Sequence, residues 1–335
     1  MNSLTSNITM FFTSYLSNTV GYSENTIKSY RDTFVLLFSY AEEEHLIKRG
    51  KISIELFHKD TITAFLEWLE SKRGVSVATR NQRLAALKSF SRYMSLSAVE
   101  YIDTFQAVLD IPPKKGSSKT VDYLTVEAIT LLLKEPDFDS YSGIRYLAIL
   151  SLLYESGCRV QELINLKYGD LSPASPATIM VTGKGNKTRI IPISSKAVSI
   201  LNKYIAVYKI FDSTEMLFTN KQSRPLTRSG IAYILRKHSD SARVKNPQIF
   251  GTAAIHPHVL RHSKAMHLLE SGVNLIYIRD FLGHSSVITT EIYAKANPEI
   301  KRKYLESAAS NIDTSVNKFS EKEKETLLEW LKHNI

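Results

Sequence analysis

Apolar residues recur at helical spacing through the first third of the chain. Residues 23–45 (SENTIKSYRDTFVLLFSYAEEEH) open on Ser23, a residue suited to helix capping, and then place apolar side chains three and four positions apart. Residues 59–73 (KDTITAFLEWLESKR) repeat the pattern with Asp60 as the expected cap. Residues 76–96 (SVATRNQRLAALKSFSRYMSL) form a third helix, the most basic, and projection at 3.6 residues per turn places Arg80, Lys88 and Arg92 on one side of it. The pattern predicts a small helical bundle.

The rest of the chain mixes helical and strand patterns. Residues 125–136, 141–157, 195–208 and 227–244 have helical spacing, and the second of these is apolar enough to be central. Two β-rich runs, 179–182 and 189–193, flank the turn sequence GKGNK, which indicates a hairpin. We therefore predict a mainly α fold with a small β-sheet (α+β).

A linker separates the two blocks. Residues 111–125 (IPPKKGSSKTVDYLT) contain two prolines, a glycine, two serines and three lysines, a composition that does not suit a packed helix. The lysines would suit a segment lying along a phosphate backbone, although a solvated hinge is an equally good interpretation.

Charge and cysteine content narrow the classes of function. The chain has 43 Lys and Arg against 33 Asp and Glu, a net charge of +10, which favours an anionic partner such as nucleic acid, although composition alone also fits an ordinary basic protein. Cys158 is the one cysteine, so no intrachain disulfide can form, as is usual in a reducing cytoplasm. We see no signal peptide and no apolar run of membrane-spanning length, and expect a cytoplasmic protein.

Residues 256–296 combine several histidines with an arginine and a tyrosine. His258 and His262 have the i, i+4 spacing of metal ligands on a helix, but no acid lies between them and the charge of Arg261 would oppose a metal. We therefore expect no metal here, and a structural or surface role is the better interpretation of any one of these histidines taken alone. Taken singly, the other candidates have ordinary explanations: Arg159 can pair with Glu162, and Lys184 can be a solvated turn lysine.

Together these residues resemble the motifs of one enzyme family. The segments SGCRVQEL, TGKGNKTR, HPHVLRHS, LGHSS and TEIYAK occur in the order found in the tyrosine recombinases, the phage integrase family. The matching positions are Arg159, Lys184, His258, Arg261, His284 and Tyr293. The resemblance implies a helical, SAM-like core-binding DNA-binding domain at 1–111, a basic linker at 112–122, a catalytic domain at 123–312 and a C-terminal tail helix at 313–335.

The resemblance implies DNA strand cleavage and rejoining through a 3′-phosphotyrosine, without metal or ATP. Two fixed guanidiniums, Arg159 and Arg261, would stabilise the extra negative charge of the five-coordinate phosphorus. Tyr293 would be the nucleophile and His258 the base or orienting group. Tyr293 lies nine residues after His284, a spacing that the family shares.

The remaining roles follow from the same resemblance. Lys184 would protonate the leaving 5′-oxygen, His284 would donate a hydrogen bond to the phosphate, and Glu162 would orient the site. We expect structural or surface positions for His256, His262 and His267. Tyr277, the nearest rival to Tyr293 as nucleophile, is expected in the core.

The expected partner is double-stranded DNA with inverted-repeat core sites, bound by a homotetramer. Accessory proteins can also bind to this complex. The candidate DNA-binding cations are Arg80, Lys88, Arg92, Lys187, Arg189, Arg228, Arg236 and Lys237. For any one of them, a position on an ordinary solvated surface is the alternative to a DNA contact. Near the C-terminus, Ser320 with Glu323 forms a capping pattern ahead of an apolar stripe of Leu327, Trp330 and Leu331. This tail helix would dock on a neighbouring subunit or on its own.

Other functions remain open. A type IB topoisomerase would use similar residues, and a non-catalytic DNA-binding protein could keep the scaffold. For the biological role, we favour a recombinase of a mobile element over Xer-type dimer resolution. No arm-binding domain precedes the first block, which argues against the larger phage integrases, and the long tail argues against a minimal Xer protein.

Overall fold

The computed structural model divides the chain into two compact units, residues 1–119 and 120–335. It describes residues 4–44, 52–116, 121–251, 254–284, 286–296, 302, 306 and 321–334, with the backbone alone at 184, 288, 295, 296, 321, 323 and 334. No helix in these ranges is both long and apolar enough to cross a membrane.

The first unit is a helical bundle. Its elements are α1 (Leu4–Met10), which continues as a π-helical segment (Phe11–Thr19), α2 (Glu24–Glu43), α3 (Lys59–Ser71), α4 (Val77–Ser97) and α5 (Ile102–Leu109), with 3-10 turns at Ile54–Phe57 and Val99–Tyr101. Ser23 caps α2 as predicted, because its hydroxyl accepts from the Thr26 amide. The predicted cap at Asp60 is wrong: α3 begins at Lys59, so Asp60 lies in the first turn, where the helix dipole favours a carboxylate.

Phe90 on α4 lies at the centre of this bundle. Its ring centroid is 5.0–5.9 Å from those of Phe11, Phe34, Phe57 and Phe105, and all five rings are buried. Because these rings come from separate elements, one side chain joins the N-terminal segment, α2, the first 3-10 turn and α5.

The predicted basic face of α4 is only partly present. Arg80 is buried with its Nε 3.6 Å from the Glu70 carboxylate, and the Lys88 ammonium donates to the Leu109 carbonyl. Arg92 is exposed. Arg80 and Lys88 therefore make contacts within this unit, and their contact with DNA stays a prediction. Lys114, at the start of the predicted linker, also pairs with Glu70 at 2.9 Å; residues 117–120 of that linker lie outside the described ranges.

The second unit is mainly helical with a small antiparallel sheet, as predicted. Its helices are α6 (Val126–Lys134), α7 (Tyr141–Ser156), α8 (Val160–Ile164), α9 (Ser195–Tyr208), α10 (Arg228–Lys245), α11 (Pro247–Phe250), α12 (Pro257–Glu270), α13 (Leu275–Leu282), α14 (Ile288–Ala296) and α15 (Glu321–Asn334). The predicted hairpin is β2 (Thr178–Thr182) with β3 (Thr188–Pro192), in the register Val181 opposite Arg189. A two-residue strand, β1 (Leu171–Ser172), adds to the edge of β2 and was not predicted.

Helix α7 is the central element of this unit. Apolar residues on all its sides are buried, and it packs against α9 and α12. It ends at Gly157, whose φ of +54° is left-handed and whose missing side chain makes room for Phe281 and Leu282 of α13. This close approach brings the end of α13 beside Arg159, the N-cap residue of α8.

Phe90→Ala should lower the free energy of unfolding of the first unit by about 3–5 kcal/mol, because it leaves a cavity among four rings. Urea unfolding followed by far-UV circular dichroism measures the change. Leu96→Ala, at an exposed position of the same helix, serves as the control and should change the value by less than about 0.5 kcal/mol. Equal stability of the two variants would contradict this account of the core.

Candidate active site

The carboxylate of Glu162 organises a cluster of arginines. Glu162 is buried in α8, and its Oε2 accepts from the backbone amide of Arg159 at 2.8 Å while its Oε1 accepts from the Arg159 Nη1 at 2.8 Å. Arg189 of β3 donates to both oxygens, from Nη1 at 3.1 Å and from Nη2 at 2.8 Å. One carboxylate therefore orients two guanidiniums from different elements.

The same carboxylate stays charged at neutral pH. Burial alone would raise the pKa of Glu162, but the hydrogen bonds from Arg189 and Arg159 outweigh burial and place the pKa below its ordinary value of 4.5. The Arg189 side chain is mostly buried and is bound to Glu162, and its predicted contact with DNA stays a prediction. Lys187, two residues earlier, is exposed.

Three arginines converge on the last carbonyls of α13. Arg189 Nε donates to the Phe281 carbonyl at 3.0 Å, and Arg261 Nη2 donates to the Leu282 carbonyl at 2.7 Å. Arg159 Nη2 donates to the Gly283 carbonyl at 3.3 Å. Carbonyls at a helix C-terminus lack helical partners and carry the negative end of the dipole, so they suit cationic donors.

Arg261 is the most buried of the three. It lies on α12, and its Nη1 also donates to the Gly157 carbonyl at 2.6 Å. Burial, and then the charge of Arg159, lower its pKa to about 10, which still leaves it charged at neutral pH. Among the described residues, Glu162 is the one carboxylate that pairs with this cluster, and it pairs with Arg159 and Arg189. The cluster therefore keeps an excess of positive charge suited to a phosphate.

Two glycines let the arginine cluster close. A Cβ at Gly183 would lie 2.9 Å from Glu162 Oε1, and a Cβ at Gly283 would lie 2.8 Å from Arg189 Nη1. Gly283 also has a φ of +66°, which a side chain rarely adopts. Both glycines come from motifs quoted above, GKGNK and LGHSS, so the structure gives a packing reason for each.

Tyr293 on α14 is 1% exposed, and its hydroxyl lies 2.9 Å from the Nδ1 of His262 on α12. Burial raises the pKa of Tyr293, and the charge of Arg261 opposes that rise. Burial, and then the neighbouring His258 and Arg261, lower the pKa of His262 to about 4. A protonated phenol and a neutral imidazole therefore face each other at neutral pH.

His262 is a residue that sequence reasoning missed. We expected it to be structural or at the surface, but it contacts the candidate nucleophile. The usable signal was the spacing of His258 and His262, which puts both rings on one face of α12 with centroids 6.4 Å apart. His258 itself lies at the surface and forms no described hydrogen bond with Tyr293. The protein around its ring desolvates it in part, and this desolvation, followed by the charge of Arg261, lowers the pKa of His258.

The other predicted site residues fall into two groups. The Nδ1 of His284 lies 2.9 Å from the hydroxyl of the buried Thr290, and burial, followed by Arg261, lowers the pKa of His284 to about 4. The backbone of Lys184 begins the 3-10 turn between β2 and β3, as predicted for a hairpin tip, but its side chain is outside what is described. The structure thus brings Arg159, Arg261 and His284 to one place without defining the Lys184 ammonium.

The remaining candidate residues lie outside this cluster, and some of them are not buried or exposed as predicted. Arg228, Arg236 and Lys237 are exposed on α10, and the Arg228 Nε donates to Gln161 at 2.9 Å. His256 is exposed, whereas His267 is buried with its Nδ1 2.9 Å from the Tyr154 hydroxyl. Tyr277, expected in the core, is 70% exposed, so that expectation is wrong.

Comparison with known proteins gives the family. Residues 122–299 match the model of the phage integrase family, and residues 11–96 match that of the phage integrase N-terminal SAM-like domain. A putative integrase/recombinase of Sinorhizobium fredii is 36% identical over 84% of this chain and 85% of its own length. Tyrosine recombinase XerC of Staphylococcus carnosus is 30% identical over 85% of this chain and 91% of its own.

Solved structures have the same fold. The Tn1549 transposon integrase in complex with transposon right end DNA has a TM-score of 0.68 at 18% identity, covering 90% of this chain and 98% of that one. The fold, the arginine cluster and these matches agree with the resemblance seen in the sequence. The chain belongs to the phage integrase family, the tyrosine recombinases, which are enzymes that cleave and rejoin DNA in site-specific recombination.

Glu162→Gln should lower the free energy of unfolding of the second unit by about 3–5 kcal/mol at pH 7, because Arg159 and Arg189 then lose their buried counter-charge. The folded pKa lies below 4.5, so the stabilisation is complete above pH 4.5 and is lost as the pH falls through the folded value. The difference between the two proteins should therefore shrink below pH 4.5.

Urea unfolding at a series of pH values from neutral to acidic tests both statements. Asp139→Asn, which removes an exposed partner of Lys203, is the matched control and should change stability by at most about 1 kcal/mol. A Glu162→Gln protein as stable as the wild type at pH 7, or a difference independent of pH, would refute the assignment.

Proposed function

We propose that this site cleaves and rejoins DNA strands through a covalent 3′-phosphotyrosine at Tyr293. One observation carries the proposal. Arg159 and Arg261, which both keep unused N–H donors, lie together beside the buried Tyr293 of α14. Because the fixed cations outnumber the one carboxylate, the cluster can bind an anion such as a phosphate. The adjacent tyrosine hydroxyl can then attack that phosphate as a nucleophile.

The arginines are suited to the charge that develops during phosphoryl transfer. A guanidinium has five N–H donors, and the bonds described above use only some of those of Arg159 and Arg261. Because main-chain carbonyls and Glu162 hold both groups in place, they need not reorganise when the phosphorus becomes five-coordinate. Their effect is then larger on the transition state than on the bound DNA.

Tyr293 has to leave its buried position before it can react. At 1% exposure its hydroxyl is out of reach of a DNA phosphate, and its hydrogen bond to His262 stabilises the buried, protonated form. We infer that DNA binding moves Tyr293 towards Arg261, whose charge lowers the phenol pKa. His262 is then a positioning residue that holds the nucleophile until DNA is present.

The reaction can be written with balanced bonds. The proton of Tyr293 passes to His258, the phenolate oxygen bonds to phosphorus, and the bond from phosphorus to the 5′-oxygen breaks. Lys184 protonates that oxygen, and His284, which can accept from Thr290 at Nδ1, donates from Nε2 to the phosphate. Attack by a 5′-hydroxyl of another strand reverses these steps, so neither metal nor ATP is consumed.

The proposed substrate is duplex DNA with inverted-repeat core sites, bound in the cytoplasm by four copies of the chain. The exposed cations Arg92, Lys187, Arg228, Arg236 and Lys237 are available for phosphate contacts. Among proteins of the same fold, a XerH recombinase was solved bound to a palindromic difH substrate, which supports this class of site. Phosphate contacts would make binding weaken steeply with salt.

For the biological role, we propose recombination of a mobile element, which the similarity to the Sinorhizobium integrase/recombinase supports. A second candidate is Xer-type resolution of chromosome or plasmid dimers. This role is favoured by the similarity to tyrosine recombinase XerD of Staphylococcus haemolyticus. The two chains are 32% identical, and the match covers 92% of the length of that XerD. The recombination sites joined in the cell would distinguish the two roles.

Assembly on DNA is proposed to use the tail helix α15. The side chains of four apolar residues of this helix are 40–58% exposed: Leu327, Leu328, Trp330 and Leu331. This exposed apolar surface could pack against another protein surface. The predicted cap at Ser320 and Glu323 lies outside the described residues. Docking of this helix on a neighbouring copy would join the subunits of a tetramer.

The nucleophile is tested by covalent capture. The protein is mixed with a library of nicked genomic fragments and denatured, and the DNA that stays attached is sequenced. Attachment at one recurrent inverted motif is expected, with complete loss in Tyr293→Phe and DNA binding within about twofold of wild type. Tyr277→Phe, a change of the same type at an exposed position, should capture DNA normally.

Two results would count against the proposed function. Capture by Tyr293→Phe would exclude this tyrosine as the nucleophile. Attachment at all sequences without preference would indicate a topoisomerase-like activity in place of site-specific recombination.

A chain ending at Asp313 should fold normally but assemble on a two-site DNA at least roughly tenfold more weakly. Analytical ultracentrifugation of the DNA complexes measures assembly, and thermal unfolding checks the fold. The finer variant Leu327→Ser with Leu331→Ser should behave alike, and Lys332→Gln on the same helix is the control. Unchanged assembly would refute docking between subunits, and a large loss of thermal stability would indicate packing within one subunit.

A further inference from the structure

The second unit has a cleft at the N-terminal end of α7, the end that lies away from the arginine cluster. It encloses about 610 Å³ and is formed by the first turn of α7, the end of α9 and the loop 215–225. Since α7 has 16 residues, its two ends are about 24 Å apart. The cleft is therefore separate from the site proposed to act on DNA.

Arg145 is a buried cation in the wall of this cleft. It is 4% exposed, its Nη1 donates to the Thr219 carbonyl at 3.2 Å, and its buried Nε has no hydrogen-bond partner. Within the described part of the chain no carboxylate lies within 4.0 Å of it, in contrast to Arg159 and Arg189. A buried charge without a counter-ion is costly, so an anion in the cleft would stabilise it.

The surroundings of Arg145 add positive charge. Lys209 and Lys221 also line the cleft, against one carboxylate, that of Glu215. The amides at the start of α7, next to Tyr141 and Ser142, contribute the positive end of a helix dipole. The cleft therefore has a net positive potential in which the buried guanidinium is the fixed element.

Two tyrosines give the cleft an aromatic wall. The rings of Tyr141 and Tyr208 are stacked with centroids 4.2 Å apart and an angle of 23° between their planes. The Tyr208 hydroxyl donates to the Tyr141 carbonyl at 2.8 Å, which fixes the pair. Tyr141 is 62% exposed, so part of its ring surface is free to stack on a planar ligand.

We propose that this cleft binds a small nucleotide, with the phosphate at Arg145 and the base on Tyr141. A volume of about 610 Å³ is in the usual range for small-molecule sites, and the wall combines one aromatic surface with a few converging cations. The site would make the chain responsive to a metabolite at a position remote from DNA cleavage. This goes beyond the proposed recombination chemistry and does not depend on it.

Isothermal titration of the full chain with AMP, adenosine and inorganic phosphate tests the proposal. AMP should bind at one site with a dissociation constant below about 1 mM, and adenosine and phosphate should each bind at least roughly tenfold more weakly. Arg145→Lys should weaken AMP binding by at least roughly tenfold, because a lysine lacks the planar pair of donors.

Variants at the rim keep the test valid if Arg145→Lys does not fold. Lys221→Gln and Lys209→Asn, the latter at a φ of +53° that asparagine tolerates, should each weaken AMP binding by about threefold to tenfold with thermal stability kept. Lys196→Gln, an exposed position of α9 that does not line the cleft, should leave AMP binding unchanged. All these variants should keep wild-type covalent capture of DNA, so a failure here is separable from a failure of the proposed function.

Three results would overturn the nucleotide site. The first is no detectable binding of AMP at roughly 10 mM. The second is AMP affinity unchanged in both rim variants, which would assign the ligand to another place such as the arginine cluster. The third is displacement of AMP by a short duplex, which would assign the cleft to DNA backbone phosphates.

Discussion

The candidate site depends on three successive carbonyls at the C-terminal end of α13, those of its last two residues and of its C-cap. Phe281, Leu282 and Gly283 each accept a hydrogen bond from a different arginine: Arg189, Arg261 and Arg159, in that order. These carbonyls point out of the helix end without helical partners, and their dipole offsets part of the positive charge brought to them. Because three elements supply the arginines, the end of α13 fixes the hairpin, α8 and α12 relative to one another.

The same arrangement leaves charge to spare. Glu162 supplies one negative charge to two of the three guanidiniums, and backbone carbonyls bind all three without removing their charge. The neighbouring histidines respond to this excess. Burial, and after it the charge of Arg261, lower the pKa of His258 and of His284, and burial, His258 and Arg261 together lower the pKa of His262. A bound phosphate would oppose this effect, so DNA binding and histidine protonation are coupled in the proposed mechanism.

Much of this could be predicted from sequence because it depends on local pattern. Helical spacing, the Ser23 cap and the GKGNK hairpin follow from neighbouring residues, and the family resemblance brought Arg159, Arg261, His284 and Tyr293 together in order. What local pattern cannot supply is the partner across space. Helical projection placed Arg80 with Arg92 on one side of α4 but could not show that the Arg80 side chain pairs with Glu70.

Other differences have the same origin. The contact between His262 and Tyr293, and the bidentate bond from Arg189 to Glu162, each join residues about thirty positions apart. A strand as short as β1 has no alternation to recognise. Tyr277, expected in the core, lies at a position of α13 that faces out, and the segment that contains it does not show this.

The central claim is that the arginine cluster holds a phosphate for attack by Tyr293. A crystal structure with a nicked duplex and orthovanadate, which can mimic five-coordinate phosphorus, tests it most directly. The account predicts equatorial vanadate oxygens bonded to Arg159 and Arg261, with the Tyr293 oxygen and a DNA 5′-oxygen at the two apical positions. Vanadate bound away from these arginines, or bound there while Tyr293 still lies buried against His262, would contradict it.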